Sequence, residues 1–147
     1  MELLHKMAKH NNFATFKKAF IEEFGIGKWL AILAIMDSIN HGKYDQLMQM
    51  CCDLYSSISS ARIGIDDLKG DRKFAAIVEA RQLAMFFLMT YSPLTLEAIG
   101  GLFNKDHSTV HWAKSVIPTR IEHKSLLIPI DVYFEANQMA QKILGGE

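Results

Sequence analysis

The stretch LTLEAIGGLFNKDHSTVHWAKSVI, residues 94–117, decides how this chain is read. It has the grammar of two helices meeting at a tight corner. A short apolar-periodic segment runs from Leu96 to Leu102, Phe103 and Asn104 interrupt it, and a second segment from Asp106 to Ile117 opens with small polar residues. At about 100° per residue, Val110, Ala113 and Ile117 fall within about 60° of one another, while His107, His111, Lys114 and Ser115 gather on the opposite side. One face belongs to a core and the other looks outward.

Outward from this stretch the same periodicity continues. Of 147 residues, 50% are hydrophobic and only three are Pro, and no segment alternates as a strand would, so the chain is predicted to be an all-α helical bundle. Expected helices before the corner are 12–24, 28–40, 43–59 and 73–90, and a last one at 130–144 follows it. Phe13, Phe16, Phe20 and Phe24 recur at helical spacing in the first, and Tyr44, Leu47, Met48, Cys51, Tyr55 and Ile58 line one face of the third. Asn40, His41 and Gly42 read as stop signals between the second and third. The polar, glycine-containing run SSARIGIDDLKGD, residues 59–71, reads as a joint. It divides the chain into an N-terminal helical region, 1–70, serving assembly or regulation, and a C-terminal module, 71–147.

Charge and cysteine content narrow the function. Lys plus Arg and Asp plus Glu are 16 each, and from Asp71 to Glu147 eight of each sign again balance, so a polyanion partner would have to be met by clustered rather than total charge. Adjacent Cys51 and Cys52 offer no disulfide framework, which suits a reducing cytoplasm. Residues 1–12, MELLHKMAKHNN, lack the apolar centre of a signal peptide, and the longest apolar run, Trp29 to Met36, is far short of the roughly 20 residues that span a bilayer. No membrane association is expected.

The outward face of the corner has a chemistry of its own. A B-DNA major groove admits one α-helix and displays donors, acceptors and thymine methyls to its first turn. There, Asp106 can accept from cytosine N4, His107 can donate to a purine or touch a thymine methyl, and Ser108 can bond either way. Thr109 and the amides around it suit a phosphate, because helix N-termini favour anions. Asp106 also serves as an N-cap, a role compatible with the first.

Three blocks in order carry a family resemblance. KDHSTVHWA resembles the opening of the recognition helix in the DnaA replication initiators, RQLAM at Arg81 to Met85 resembles their Arg-Gln-x-Ala-Met block, and LTLEAIGGLF resembles the helix between. The resemblance covers about Lys73 to Ile117 and implies a helix-turn-helix that binds double-stranded DNA in replication or transcription control. It implies base contacts from Asp106, His107 and Ser108, phosphate contacts from Lys105 and Thr109, backbone contacts from Arg81, Gln82 and Thr95, and a minor-groove contact from Lys73. Where the family often has a basic residue near position 116, this chain has Val116, and Lys114 stands one turn nearby as its substitute. Where the family has Pro before Arg-Gln, this chain reads VEARQ, which permits one uninterrupted helix.

Enzymatic readings fare worse. There is no GxxxxGK[ST] loop, so no ATPase engine is expected. His107 and His111 have a zinc-compatible i, i+4 spacing without a following Glu or a third ligand. Asp106, His107 and Ser108 are consecutive and cannot align as a catalytic triad. Neither cofactor nor metal is expected, and the protein is read as a non-enzyme. Phe86, Phe87, Met85 and Met89 read as core. WLAILAIM, apolar nearly all round, is either a bundle centre or a surface that another chain covers, which opens a route to homo-oligomers. The alternative function is an interaction protein that keeps the scaffold and docks a partner through this N-terminal half.

Overall fold

The computed structural model describes residues 13–145, and among them the backbone forms seven helices and no strand. In chain order these are α1 (Phe13–Phe24), α2 (Ile26–Ile58), α3 (Ile65–Lys69), α4 (Ala75–Tyr91), α5 (Leu96–Leu102), α6 (His107–Glu122) and α7 (Ile130–Gly145). The fold is all-α, as the periodicity indicated. No helix is long and apolar enough to cross a membrane among the described residues. The reading of residues 1–12 as no signal peptide lies outside those residues, and the side chain of Phe13 is likewise outside the description.

Two compact units divide between residues 41 and 42. In the first, Phe16, Phe20 and Trp29 are buried together, with Ile21 and Ile32 packed against them. The Trp29 ring lies 6.0 Å from Phe16 and 5.5 Å from Phe20. Gly25, at φ +92°, makes the turn from α1 into α2, a backbone geometry that L side chains rarely adopt. Among the described side chains of WLAILAIM, Trp29 is buried and Ile32 packs beside it, whereas Leu30 and Ile35 are 58% and 60% exposed, as is the preceding Ile26 at 55%.

Asn40, His41 and Gly42 do not end a helix, because α2 continues through them to Ile58. With no Pro present, a Gly inside a helix costs only about 1 kcal/mol relative to Ala, which is too little to end a long one. Beyond that point Tyr44, Leu47, Met48, Cys51, Cys52 and Tyr55 are buried as expected, and only Ile58, 45% exposed, leaves the stripe. Burial pushes both thiols up, Cys52 to about 12, so neither is a reactive thiolate at neutral pH.

The expected joint at 59–71 is anchored to the core of the second unit. Ile63 and Leu68 are buried in its core, and α3, which carries Leu68, forms between Ile63 and Gly70. Ser56 Oγ accepts from the Ile63 amide at 2.9 Å, and an Asp67 carboxylate oxygen accepts from the Gly64 amide at 2.9 Å. Two apolar residues within a polar run are enough to anchor it to the core.

Helix α4 runs through the centre of this unit, packing against α3, α5, α6 and α7. Ile77, Ala80, Leu83, Ala84, Met85, Phe87 and Leu88 are buried around its circumference, as are the polar Glu79, Arg81 and Gln82. The VEARQ segment is helical throughout. Helix α6 outruns its expected end at Ile117 and contains Pro118. Its final turn holds because Ile121 packs on the core and the Arg120 guanidinium sits 2.7 Å from Glu79 Oε1.

Candidate nucleic-acid interface

Thr95 starts α5 by accepting the Ala98 amide on its hydroxyl at 3.1 Å. Four residues separate α5 from α6, and they turn because Asn104 takes φ +55° while Phe103 is fully buried. The Gly100 carbonyl accepts from the amides of both Phe103, at 3.1 Å, and Lys105, at 2.9 Å. A Cβ on Gly100 would stand 2.4 Å from the Lys105 carbonyl oxygen. The corner is thus a close backbone approach that only glycine permits.

Asp106 caps α6. Its Oδ1 accepts from the Thr109 amide at 3.1 Å, the Thr109 hydroxyl at 3.2 Å and the Ser108 hydroxyl at 2.5 Å. The Ser108 hydroxyl, followed by the Thr109 amide, holds the Asp106 carboxyl below the usual carboxylate range. A persistent anion therefore stands at the corner. Because both hydroxyl protons go to Asp106, the Ser108 and Thr109 oxygens are left as acceptors. That suits amino groups on base edges better than phosphate.

Asp106, His107 and Ser108 are exposed, Thr109 is half-buried, and His111, Trp112, Lys114 and Ser115 are exposed along the same helix. On the opposite side Val110, Ala113 and Ile117 have no exposed surface. The two faces separate as their spacing indicates.

Other site residues stand elsewhere. Lys105 is half-buried, and its ammonium donates to the Gly70 carbonyl at 2.7 Å and to Asp71 at 3.2 Å, tying the corner to the segment that enters α4. Lys73 lies in that segment, exposed, two residues before α4 begins. Thr95 is exposed at its cap.

Arg81 and Gln82, expected on the phosphate backbone, require correction. Arg81 is 7% exposed, and its Nε donates to the Leu68 carbonyl at 2.7 Å. Its Nη2 reaches the carbonyls of Asp67 at 3.1 Å, Gly70 at 3.1 Å and Arg72 at 3.4 Å. The guanidinium thus satisfies the carbonyls of the turn around α3 and faces inward. Gln82 is 9% exposed, with its Oε1 enclosed.

Two features escaped the sequence reading. Trp112 is 62% exposed on the outward side of α6, a placement that the helical angle between it and Val110 already contained. The other is a buried carboxylate: Glu79 accepts from the Tyr55 hydroxyl at 2.6 Å, from Arg120 at 2.7 Å and from the Leu127 amide at 2.7 Å. No local motif announces partners 24, 41 and 48 residues away.

Comparison with known proteins agrees with this geometry. Residues 51–117 match the family model described as the bacterial DnaA protein helix-turn-helix. The chromosomal replication initiator protein DnaA 2 of Chlamydia trachomatis is 41% identical over 66 residues, 45% of this chain and 14% of that protein. Its counterpart in Chlamydia pneumoniae is 36% identical over 66 residues, 45% of this chain and 15% of that protein. The DnaA of Clavibacter sepedonicus is 30% identical over 83 residues, 56% of this chain and 16% of that protein. The matched stretch thus spans about one-seventh of the length of these relatives. No solved structure matches the chain. With the corner, its N-caps Thr95 and Asp106 and the first three turns of α6 inside the matched stretch, residues 51–117 are similar to the bacterial DnaA helix-turn-helix.

Proposed function

We propose that this protein binds double-stranded DNA sequence-specifically, in control of replication or transcription, with α6 in the major groove. One observation carries the proposal: a rigid, glycine-set corner presents Asp106, His107 and Ser108 to solvent on a helix whose opposite face is wholly buried. Base edges are read by these three residues, with Thr109 at the flank. Lys114 contacts phosphate and Lys73 enters the adjacent minor groove, and no ion pair engages either among the described residues. Arg81, Arg120 and Lys105 are tied to internal carbonyls and carboxylates, which explains how a neutral chain presents a short basic contact set.

Selection of duplexes from a random pool tests the proposal. His107→Ala is expected to weaken the selected site by about 1–3 kcal/mol and to relax preference at one base position. With two lysines neutralising the duplex, log K should fall against log salt with a slope of about −2, and Lys114→Ala should reduce that slope by about one. Absence of any binding to random-sequence duplex at low salt would leave the alternative, a partner-docking protein on the same scaffold.

For the first unit we propose self-association, because Ile26, Leu30 and Ile35 leave apolar surface uncovered on both sides of the Trp29 stripe. Pairing two helix-turn-helix units on neighbouring half-sites would offset the small number of phosphate contacts in each. Sedimentation across a concentration series should show a dimer that Leu30→Asp converts to monomer. A native chain that stays monomeric throughout removes this reading.

A further inference from the structure

Trp112 is the largest side chain on the outward side of α6, and nothing in the fold accounts for it. It is 62% exposed, and among the described residues no ring contact, cation–π contact or hydrogen bond engages it. Its neighbours on that face, Ser108, Ser115 and Thr119, are small and exposed. With Ser115, Val116, Thr119 and Arg120 it borders a shallow depression open to solvent. An indole carries about 150–250 Å² of largely apolar surface, which contributes only when something covers it.

Its position says what covers it. Trp112 follows Ser108 by four residues, which turn a helix by about 400° and advance it by about 6 Å, so the two side chains share one stripe a turn apart. Ser108 lies on the base-reading turn. Along a duplex, 6 Å is about two steps of 3.4 Å. An uncharged aromatic side chain at that offset suits the thymine C5-methyl, the apolar feature of the major groove.

We propose that Trp112 is a specificity-determining residue that reads a thymine methyl about two base pairs from the position read by Ser108. The inference rests on α6 lying in the major groove, as proposed above. It adds an apolar readout to the polar one at the corner and predicts a site with a required thymine on that side.

The test uses the full chain and the duplex selected by the native protein, with each thymine replaced in turn by deoxyuridine. That change removes the methyl and leaves pairing intact. Native protein should lose about four-fold in affinity at one thymine, the value of burying one methyl-sized group. Trp112→Ala should bind the parent duplex at least four-fold more weakly and be indifferent to deoxyuridine at that position, with an unchanged melting temperature. Equal affinity of Trp112→Ala and native protein for the parent duplex overturns the proposal. So does a uridine penalty that persists in the variant, or a uniform weakening on all duplexes, which would place the indole against the sugar backbone. If native protein binds selected duplex without any uridine penalty, the thymine assignment fails while groove binding stands. If it binds no duplex, both fail together.

Discussion

Replacing Gly100 by Ala is expected to cost about 3 kcal/mol of folding stability and to weaken duplex binding with it, whereas Gly101→Ala should stabilise the protein by about 0.5–1 kcal/mol. The contrast follows from what each new methyl meets. At Gly100 it would lie 2.4 Å from the Lys105 carbonyl oxygen and 3.3 Å from the Asp106 carbonyl carbon and oxygen. These are backbone atoms of the corner and cannot swing aside as a side-chain tip can, so α5 and α6 must separate. Separation also strains the two amides that converge on the Gly100 carbonyl and moves the capping residue of α6 away from the position set by the fold. At Gly101 nothing lies within 4 Å, so the substitution only removes the backbone freedom that glycine has in the unfolded chain. Urea denaturation of both variants, with duplex binding measured in parallel, checks this. A Gly100→Ala protein with native stability would mean that the corner is not closely packed.

The same pair of glycines marks the limit of what residue order reveals. Periodicity located α5 at its observed bounds, placed the start of α6 within a residue and separated its two faces correctly, because each of these is a local pattern of apolar spacing and caps. Which glycine is indispensable depends on what approaches it across the corner, and only the folded backbone decides that. Ile63 and Leu68 were invisible for a related reason: a short polar run with two glycines has the composition of a linker, yet two apolar anchors and the Arg81 guanidinium draw it into the core. Arg81 shows the hazard of transferring a role by motif. The Arg-Gln block resembles a DNA contact, but in this chain the guanidinium has four internal carbonyls to satisfy, and they lie in a segment far outside the motif.

Glu79→Ala is the second substitution expected to act strongly, at about 3–5 kcal/mol, a large share of the roughly 5–15 kcal/mol that stabilises a domain of ordinary size. Glu79 has no exposed surface, and it joins four parts of the second unit: α4 through its own backbone, α2 through Tyr55, α6 through Arg120, and the segment before α7 through the Leu127 amide. Burial, and then its bond to Glu79, raise the Tyr55 hydroxyl far above its ordinary pKa, so it remains a proton donor at every pH the fold tolerates. Alanine would leave that hydroxyl and the Leu127 amide without an acceptor, at about 1–3 kcal/mol each, beside a new void. Arg120 is affected less, since its side chain is 39% exposed and can turn to water.

Glutamine separates these contributions. Tyr55 and Leu127 both donate to Oε2, whereas Arg120 donates to Oε1, so a Glu79→Gln amide oxygen can keep the first two bonds while its NH2 displaces only the guanidinium. Its cost should be about 1–2 kcal/mol, the size of one charge-assisted hydrogen bond that is partly exposed. The ordering native, then Gln, then Ala in urea midpoints is the expected result, with loss of the last turn of α6 seen in amide exchange before the first turn is affected. An Ala variant within about 1 kcal/mol of native would show that α6 is held by its apolar face alone.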